Sequence, residues 1–330
     1  MERLKVLRLR ELEGRARGSF EASTLAELDP GEVVVRVGFS SVNYKDALAV
    51  TGRGRIVRRF PCVGGIDLVG TVAASEDPRF TVGDAVLATG CGLGVEHDGG
   101  YAEFARVRAD WLVPLPSGMS PWEAMALGTA GFTAALALHR MEHDGLEPGG
   151  GPVVVSGATG GVGSIMIELL AQRGYEVVAL TGKPEAEAEL RALGAREVLL
   201  RSALDLEARR PLGRATWAGA VDNLGGDVLG WMLGTAKVGG VVASIGLAAS
   251  MELRATVAPL ILRGVSLLGI DSSNSRMPLR RELWRRLGAE LRPAKLAERS
   301  RTEPFEALPA VCDELIEGRA RGRVVIAIGG

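Results

Sequence analysis

The sequence predicts an α/β protein of two domains, one rich in β-strands and one built on a doubly wound parallel sheet. At 330 residues the chain is too long for one typical hydrophobic core. Apolar residues make up 47% of it and aromatic residues only 5%, a balance typical of proteins with buried parallel strands. In the middle of the chain, short strands alternate with helical stretches, which is the pattern of a parallel sheet with helices on both faces.

The β-rich domain is predicted over residues 1–120, and residues from about 275 to 330 are expected to return to it. Its strand candidates are short, β-branched or alternating, and separated by Gly, Asp and Pro turns. They are EVVVRVGF, LVGTVAAS, DAVLATG and YAEFARV. The second domain is predicted over residues 121–274. It begins with a helix, because Ser120 is a preferred N-cap residue and Pro121 stands at the first helical position.

Charge and hydropathy exclude several classes of partner. The 39 Lys and Arg residues nearly balance the 40 Asp and Glu residues, so no overall field favours nucleic acid or an acidic membrane. No apolar run reaches the roughly 18 residues that a membrane span requires. The N-terminal segment carries charges throughout and lacks the apolar core of a secretory signal. We therefore expect a cytoplasmic protein that binds neither nucleic acid nor membrane.

The sequence predicts no metal site. The cysteines Cys62, Cys91 and Cys312 stand far apart and form neither a disulfide framework nor a CxxC knuckle. His139 and His143 are four residues apart on a predicted helix, a spacing that can place two ligands on one face. No HExxH context accompanies them, so we interpret both as surface or packing residues.

A glycine-rich turn after a buried strand is the sharpest local signal. The apolar strand Val153–Val155 runs into the pattern GxxGGxG, which opens a helix. Glycines permit a tight turn and close backbone approach to a pyrophosphate, and the helix N-terminus offers free N–H donors. The strict GxGxxG spacing is absent, but the strand–turn–helix context favours a dinucleotide site over a merely structural turn. The turn residues predicted to bind the cofactor are Thr159, Gly160, Gly161 and Val162.

The end of the next strand indicates which nicotinamide cofactor is bound. An NAD-specific site carries Asp or Glu there, to bond the ribose 2′-hydroxyl. This chain has Thr181, Gly182 and Lys183, which suit a 2′-phosphate, and Arg196 follows the next helix as a further candidate. We therefore predict NADPH. The alternative is an ordinary strand end with a solvated lysine.

Other strand ends supply further candidates, because ligands of an open α/β sheet bind outside the carboxyl ends of its strands. Asn223 follows the strand AGAVD, and Ile245 and Leu247 follow VVAS, so these three are predicted to contact the nicotinamide ribose and carboxamide. Ser272, after the last strand of the sheet, and Arg323, in the C-terminal RGRVV, are also assigned to the cofactor. Surface placement is the alternative for Arg323.

Several stretches, in matching order along nearly the whole chain, resemble one family. They are SSVNYKDALAVTGRGRIVRRFPCVGGIDLVGTV, SEDPRF, GTAGFTAAL, SGATGGVGS, WAGAVDNLGG and LLGIDS. The chain resembles the zinc-free, quinone-oxidoreductase-like branch of the medium-chain dehydrogenase/reductase superfamily, and within it the acryloyl-CoA reductases. Zinc-dependent members carry a Cys where this chain has Val42-Asn43-Tyr44. The resemblance implies a GroES-like catalytic domain and a Rossmann nucleotide-binding domain.

The resemblance also implies an activity, the NADPH-dependent reduction of acryloyl-CoA to propanoyl-CoA. Hydride passes to the β-carbon, the thioester oxygen takes up negative charge, and the α-carbon is then protonated. Without a metal, hydrogen-bond donors must stabilise that charge. By the resemblance, Asn43 and Tyr44 are catalytic candidates at the nicotinamide end of a cleft, and Tyr44 is also a cofactor contact. The plainer alternative for Tyr44 is a turn residue covering the core.

Two acidic residues near this pair have more than one interpretation. Asp46 either pairs with Lys45 or caps the helix that follows Asn43. Asp67, in the segment GGID, either orders the region of Asn43 and Tyr44 or satisfies a turn.

Four arginines within seven residues form an arginine cluster, Arg53, Arg55, Arg58 and Arg59. Coenzyme A carries a 3′-phosphate and a diphosphate, and arginine binds phosphate with bidentate geometry. The cluster is therefore either a docking surface for the substrate's phosphates or a solvated loop.

Three functions remain open at this point. The first is reduction of an acyl-CoA, the second is reduction of quinones or free enones with the same cofactor, and the third is non-catalytic NADPH binding. By analogy with the family we expect a homodimer, formed through an edge strand such as VSLLGI.

Overall fold

The computed structural model describes residues 3–206 and 211–329. They fall into two compact units. Unit 1 comprises Met1–Phe132, Ser272–Glu290 and Leu296–Gly330, and unit 2 comprises Thr133–Asp271 and Leu291–Lys295. The predicted order is present, with a β-rich unit that is interrupted by a second unit and then resumed. Unit 2 begins at Thr133, whereas the prediction has 121, and it includes Leu291–Lys295 besides Thr133–Asp271.

Short strands dominate the first part of unit 1, and the four predicted strand segments are among them. The strands are β1 (Leu4–Leu12), β2 (Arg15–Ser23), β3 (Val33–Ser41), β4 (Cys62–Val63), β5 (Asp67–Ser75), β6 (Ala85–Thr89), β7 (Phe104–Val107) and β8 (Val113–Pro114). The sequence analysis named neither β1 nor β2, because charged residues interrupt their apolar pattern. They pair as an antiparallel hairpin.

Two helices follow strands of unit 1. Helix α1 (Tyr44–Thr51) begins three residues after β3, and its buried Ala47 and Val50 pack in a core that also contains Val311 and Cys312. Helix α2 (Pro121–His143) starts at the predicted proline. It is interrupted at Gly128, where φ is 51° and ψ is −152°.

Unit 2 alternates strands with helices, as predicted. Its elements are β9 (Val153–Ser156), α3 (Gly161–Gln172), β10 (Val177–Thr181), α4 (Glu187–Ala192), β11 (Ala195–Leu200), β12 (Trp217–Asp222), α5 (Gly226–Thr235), β13 (Ala236–Ser244), α6 (Ala258–Leu262) and β14 (Ser266–Gly269). The strands pair in parallel in the order β11-β10-β9-β12-β13-β14. The order reverses direction between β9 and β12, so the carboxyl ends of these strands form the edge where such sheets bind ligands.

The C-terminal part of the chain completes unit 1. Its elements are α7 (Met277–Leu287), β15 (Ser300–Pro304), α8 (Leu308–Ile316) and β16 (Arg323–Ala327). Strand β16 joins β15 to β3 in a sheet of order β15-β16-β3-β5-β6-β8, with β7 also paired to β3. A smaller sheet has the order β2-β1-β4. Among the described residues, no helix combines the length and the hydropathy needed to cross a bilayer.

Candidate functional site

Asn43 is the N-cap of α1 and has extended backbone angles, φ −114° and ψ 161°. Its backbone N–H donates to Asp46 Oδ2 at 3.0 Å, and its side-chain Nδ2 donates to Asp67 Oδ2 at 2.8 Å and to Asp46 Oδ2 at 3.1 Å. The side chain is buried. The amide donors of Asn43 therefore face inward, and the residue fixes the start of α1. Asp46 caps this helix, one of the two predicted alternatives.

Asp67 lies at the centre of this arrangement and is fully buried. Besides Asn43, its carboxylate accepts bonds from Ser41 Oγ at 2.5 Å, from the Thr129 N–H at 2.8 Å and from Thr129 Oγ1 at 2.5 Å. A carboxylate with this many donors holds its neighbours rigidly. Asp67 therefore orders the Asn43 region, which the sequence analysis gave as one alternative.

Arg323 lies beside these carboxylates, not at a phosphate-binding surface. Its guanidinium is buried, and Nε donates to the Ala126 carbonyl at 2.8 Å. Nη1 lies 3.3 Å from the Val42 carbonyl and 3.4 Å from Asn43 Oδ1. Burial lowers the pKa of Arg323, and the charges of Asp67 and Asp46 oppose that effect. The side chain of Arg323 is enclosed within unit 1, where its hydrogen bonds go to carbonyl and amide oxygens and the charges of Asp67 and Asp46 act on it.

We call the residues joined in this way the polar cluster. Its members are Ser41, Asn43, Asp46, Asp67, Thr129 and Arg323. Burial raises the pKa of Asp46 to about 7, and the negative charge of Asp67 adds to the shift. Tyr101, whose hydroxyl donates to the Ser41 carbonyl at 3.0 Å, has a pKa well above its ordinary value, also chiefly through burial. The polar cluster therefore contains buried titratable groups, Asp46 and Asp67, that bond to the N-cap residue of α1.

Tyr44, the first residue of α1, behaves differently from Asn43. Its side chain is 43% exposed. Within residues 3–206 and 211–329, its hydroxyl has no hydrogen-bond partner. The polar cluster thus fixes the backbone of a tyrosine whose phenol remains available to a ligand.

The structure divides the arginine cluster into two pairs. Arg58 is ion-paired with Glu96, and Arg59 with Asp29. Arg53 and Arg55 are exposed, and neither has an ion pair or side-chain hydrogen bond within the described part of the chain.

The glycine turn of unit 2 is tightly packed where β9 leads into α3. Gly157, directly after β9, has φ 59°. A Cβ at Gly163 would lie 2.4 Å from the Gly157 carbonyl oxygen, and one at Gly160 would lie 3.2 Å from it. The positive φ of Gly157 and the 2.4 Å contact at Gly163 favour glycine at these two positions of the close turn that leads into α3. The predicted residues Thr159, Gly160, Gly161 and Val162 lie within this turn and the start of the helix.

A second buried network, missed by the sequence analysis, holds the glycine turn to the end of β12. Ser156 Oγ donates to Asp222 Oδ1 at 2.8 Å and accepts from the Asn223 N–H at 2.9 Å. Asn223 Nδ2 donates to the Ser156 carbonyl at 2.8 Å. Burial raises the pKa of Asp222, and bonds from Ser156 and Gly225 oppose the shift. The only sign of this network in the sequence is a polar residue at the end of each of two apolar strands, Ser156 in β9 and Asp222 in β12.

The loop after β13 approaches the same edge. The Ile245 N–H donates to the Asp222 carbonyl at 2.8 Å, and a Cβ at Gly246 would lie 2.5 Å from the Asn223 carbonyl oxygen. Leu247 is exposed. The structure therefore brings Asn223, Ile245 and the glycine turn together. Ser272 is instead part of unit 1, where its carbonyl accepts a bond from Arg280 Nη2 at 2.7 Å.

The residues predicted to select the cofactor's 2′-phosphate lie in two places. Thr181 is buried at the end of β10, and its Oγ1 accepts from the Lys183 N–H at 3.1 Å, which orders the turn through Gly182. Arg196 lies at the amino end of β11 and is paired with Glu176 at 2.8 Å. The structure does not bring Arg196 to this turn, because parallel pairing sets Ala195 beside Val177, at the far end of β10.

The side chains that bind metal ions in proteins are mainly those of His, Cys, Asp and Glu. In the described ranges, no three His, Cys, Asp or Glu residues come close enough together to hold a metal ion. The absence of a metal from the functional protein stays a prediction.

Comparison with known proteins identifies relatives over the whole length. Residues 29–117 match the alcohol dehydrogenase GroES-like domain, and residues 161–289 match the family described as zinc-binding dehydrogenase. The chain is 46% identical over 318 residues to the acrylyl-CoA reductase AcuI of Ruegeria pomeroyi, covering 96% of each chain.

Two solved structures are similar to the chain at a TM-score of 0.95. The YhdH oxidoreductase of Salmonella enterica, in complex with NADP, is 44% identical, with 98% of this chain and 100% of that one covered. The YhfP protein of Bacillus subtilis, with NAD bound, is also 44% identical, with 99% and 100% covered.

Proposed function

The chain belongs to the quinone-oxidoreductase-like branch of the medium-chain dehydrogenase/reductase family, and from that premise we propose that it is an NADPH-dependent acryloyl-CoA reductase. The observation that carries the proposal is the similarity to an acrylyl-CoA reductase over 96% of both chains, at 46% identity. The glycine turn after β9 supports the cofactor, because it leads directly into the N-terminus of α3, and helix N-termini bind phosphate groups.

The cofactor is held by residues of unit 2 in this proposal. The turn residues Thr159 to Val162 bind the pyrophosphate, and Asn223, Ile245 and Leu247 line the nicotinamide portion. A bound NADPH supplies the hydride that reduces the carbon–carbon double bond. The network of Ser156, Asp222 and Asn223 keeps these loops in a fixed arrangement, so the site need not be reorganised when the ligand binds.

Unit 1 supplies the groups that act on the substrate. After hydride transfer to the β-carbon, one proton must still be delivered to the α-carbon of the acyl group. The phenol of Tyr44 is our candidate donor, because it is exposed and its helix is anchored by the polar cluster. Asn43, whose amide hydrogens are directed to Asp46 and Asp67, positions Tyr44 and contributes to catalysis indirectly.

The test is oxidation of NADPH followed with acryloyl-CoA, free acrylate and a simple quinone as parallel substrates. We expect turnover with the thioester and little with the other two. Turnover with quinone alone would instead make the protein a quinone oxidoreductase, and binding of NADPH without any turnover would make it a binding protein.

We further propose that Arg53 and Arg55 bind the phosphates of coenzyme A, whereas Arg58 and Arg59 stabilise the loop. The support is the division of the cluster, because Arg58 and Arg59 already have carboxylate partners. Neutralising Arg53 and Arg55 together should raise KM for acryloyl-CoA by about tenfold or more, with kcat little changed. The matched control is the double variant of Arg58 and Arg59 to Gln. An equal rise in KM for both double variants would contradict the assignment of different roles to the two pairs of arginines.

We also propose that the protein is a homodimer that pairs through β14. Among the residues that the structure describes, this strand pairs in the sheet with β13 alone. Ile261 and Leu262 of the preceding helix α6 expose most of their apolar surface. An unpaired edge beside apolar side chains favours association with a second copy. Light scattering should give a dimer for the parent and a monomer for Ile261→Glu. A monomeric parent would contradict the proposal.

A cytoplasmic location completes the proposal. All three cysteines are free, which agrees with a reducing compartment. Cell fractionation should recover the protein with cytoplasmic markers, and recovery from the membrane or from outside the cell would contradict the assignment.

A further inference from the structure

Two segments of unit 1 that are distant in the sequence carry exposed arginines at adjacent positions. Arg15 is the first residue of β2, the second strand of the N-terminal hairpin. Arg53 and Arg55 follow Gly52, which is the C-cap residue of α1 and has a left-handed backbone, φ 69°. The side chains of all three arginines are exposed.

The end of α1 packs directly against the start of β2. A Cβ at Gly52 would lie 2.3 Å from the Ala16 carbonyl oxygen and 3.4 Å from Cβ of Arg15. One turn earlier in the helix, Cγ1 of Val50 lies 3.1 Å from the place that a Cβ of Gly18 would take. Because small residues stand on both sides of this contact, the helix approaches the strand closely, and Arg15 lies beside the helix C-terminus.

The loop after α1 folds back onto the helix. The Gly54 N–H donates to the Leu48 carbonyl at 3.3 Å. Arg53 and Arg55 stand on either side of Gly54 in the sequence, so this bond holds both of them near the end of α1. They share one surface with Arg15, and we call these three arginines the basic surface.

The basic surface has no ion-pair partner among the residues that the structure describes, and its guanidinium groups form no side-chain hydrogen bond there. Neighbouring arginines of unit 1 differ, since Arg10 is paired with Glu21 and Arg58 with Glu96. A helix dipole favours a cation at the helix C-terminus, but Arg15 belongs to a strand. Three adjacent cations repel one another, and a bound anion relieves that repulsion.

We propose that the basic surface binds the ribose 3′-phosphate of coenzyme A, with Arg15 as one of its binding residues. The protein would thereby select CoA thioesters over thioesters whose pantetheine arm lacks the 3′-phosphoadenosine group. The inference rests on the proposed reduction of an acyl-CoA and deepens it. A phosphate monoester carries close to two negative charges at neutral pH, and guanidinium groups bind its oxygens with paired hydrogen bonds. The 3′-phosphate is the most highly charged group of CoA, so it suits a surface of three cations.

The length of α1 agrees with this assignment. Tyr44 and Thr51 are the first and last residues of the helix, and a rise of about 1.5 Å per residue separates them by about 10 Å. CoA carries its acyl group and its 3′-phosphate at opposite ends of a long, flexible pantetheine arm. One CoA thioester can therefore reach the phenol of Tyr44 and the basic surface at the same time.

Calorimetry with coenzyme A and 3′-dephospho-coenzyme A, on the full-length protein, tests the proposal without any turnover. The parent should bind coenzyme A about tenfold more tightly than the dephospho compound. Arg15→Gln should lower this ratio by about three- to tenfold, and should change the affinity for the dephospho compound by less than about twofold. Arg15→Lys should retain part of the preference, because the charge remains and the planar guanidinium does not.

Arg17→Gln is the matched control, since it removes the same charge from an exposed position two residues further along the same strand. Its affinity ratio should stay near that of the parent. A parent ratio near one, or an unchanged ratio in Arg15→Gln, would overturn the assignment. An equal fall in Arg17→Gln would also overturn it, because the fall would then report net charge alone.

Failure of this site can be told apart from failure of the proposed reaction. A parent that prefers coenzyme A through Arg15, but reduces no enoyl thioester, would refute the reaction and leave the assignment of the basic surface intact. A parent that reduces acryloyl-CoA, but binds coenzyme A and the dephospho compound equally, would refute the assignment and leave the reaction intact.

Discussion

The backbone of Gly128 lies directly against the carboxylate of Asp67. A Cβ at Gly128 would be 2.6 Å from Asp67 Oδ2 and 2.8 Å from Ser41 Oγ. The glycine has φ 51° and ψ −152° in the middle of α2, and the next residue, Thr129, donates two hydrogen bonds to the same carboxylate. The break in α2 therefore lets its backbone satisfy a buried acid, and the acid in turn holds Asn43.

Replacing Gly128 tests this relationship. Gly128→Ala should lower the free energy of unfolding by about 3 kcal/mol, because it adds a steric clash to an unfavourable backbone conformation. Urea denaturation measures the change. Gly83→Ala is the control, since Gly83 also has a positive φ, 99°, but a Cβ there would meet nothing within 4 Å. If both variants lose equal stability, the contact with Asp67 has no energetic weight.

The stability of the protein should depend on the protonation of Asp46. Its pKa is raised to about 7 in the folded protein from an ordinary value of 3.8, so the folded state binds the proton more tightly than the unfolded state does. The stabilisation is therefore complete below about pH 4 and is lost as the pH rises through about 7. Between these values this residue contributes a fall of up to about 1.4 kcal/mol per pH unit.

Asp46→Asn removes the titrating group and keeps the shape of the side chain. The urea midpoint of each protein is measured from pH 5 to pH 8. It should fall more steeply with pH in the parent than in the variant, and the two slopes should become equal only above pH 7. A parent whose stability has the same pH dependence as the variant would show that Asp46 does not titrate in this range.

Arg323 should stabilise the folded protein, because its positive charge lies among the buried carboxyl groups of Asp67 and Asp46. Arg323→Met is expected to cost about 3–5 kcal/mol of stability, because it leaves buried negative charge without a counter-charge. Adding Asp67→Asn should recover part of that loss, since the second change removes one of the uncompensated charges. Denaturation of both variants supplies the comparison. If the double variant is less stable than the sum of the two single losses predicts, the interaction between Arg323 and Asp67 is contradicted.

Ser156, in the network behind the glycine turn, should influence cofactor affinity through the position of Asn223. Ser156→Ala removes a donor to Asp222 and an acceptor of the Asn223 N–H, so NADPH binding should weaken by about three- to tenfold. Fluorescence titration measures this. Thr235→Ala is the control, because within residues 3–206 and 211–329 that hydroxyl bonds only to carbonyls of its own helix, α5. Equal effects of the two substitutions would indicate a general loss of stability.

Local patterns in the sequence predicted much of the fold and part of the candidate site. The alternation of strands and helices, the glycine turn after Val155 and the proline that opens α2 all involve neighbours in the chain, and propensities report such neighbours. The strand β15 was missed, because Pro304 at its end and the charged residues before it obscure the pattern. Asn43 was found, but its inward-facing amide was not foreseen.

The sequence by itself determined the family, the fold class and the position of the glycine turn before α3, because each depends on short contiguous segments. The tertiary structure decided which side chains share a cluster. Asp67 meets Thr129 across 62 positions, and Arg323 meets Asn43 across 280. Likewise, the packing of α1 against β2, not distance along the chain, placed Arg15 beside Gly52. Such contacts arise from how strands are ordered and registered, and periodicity along one segment carries no information about them.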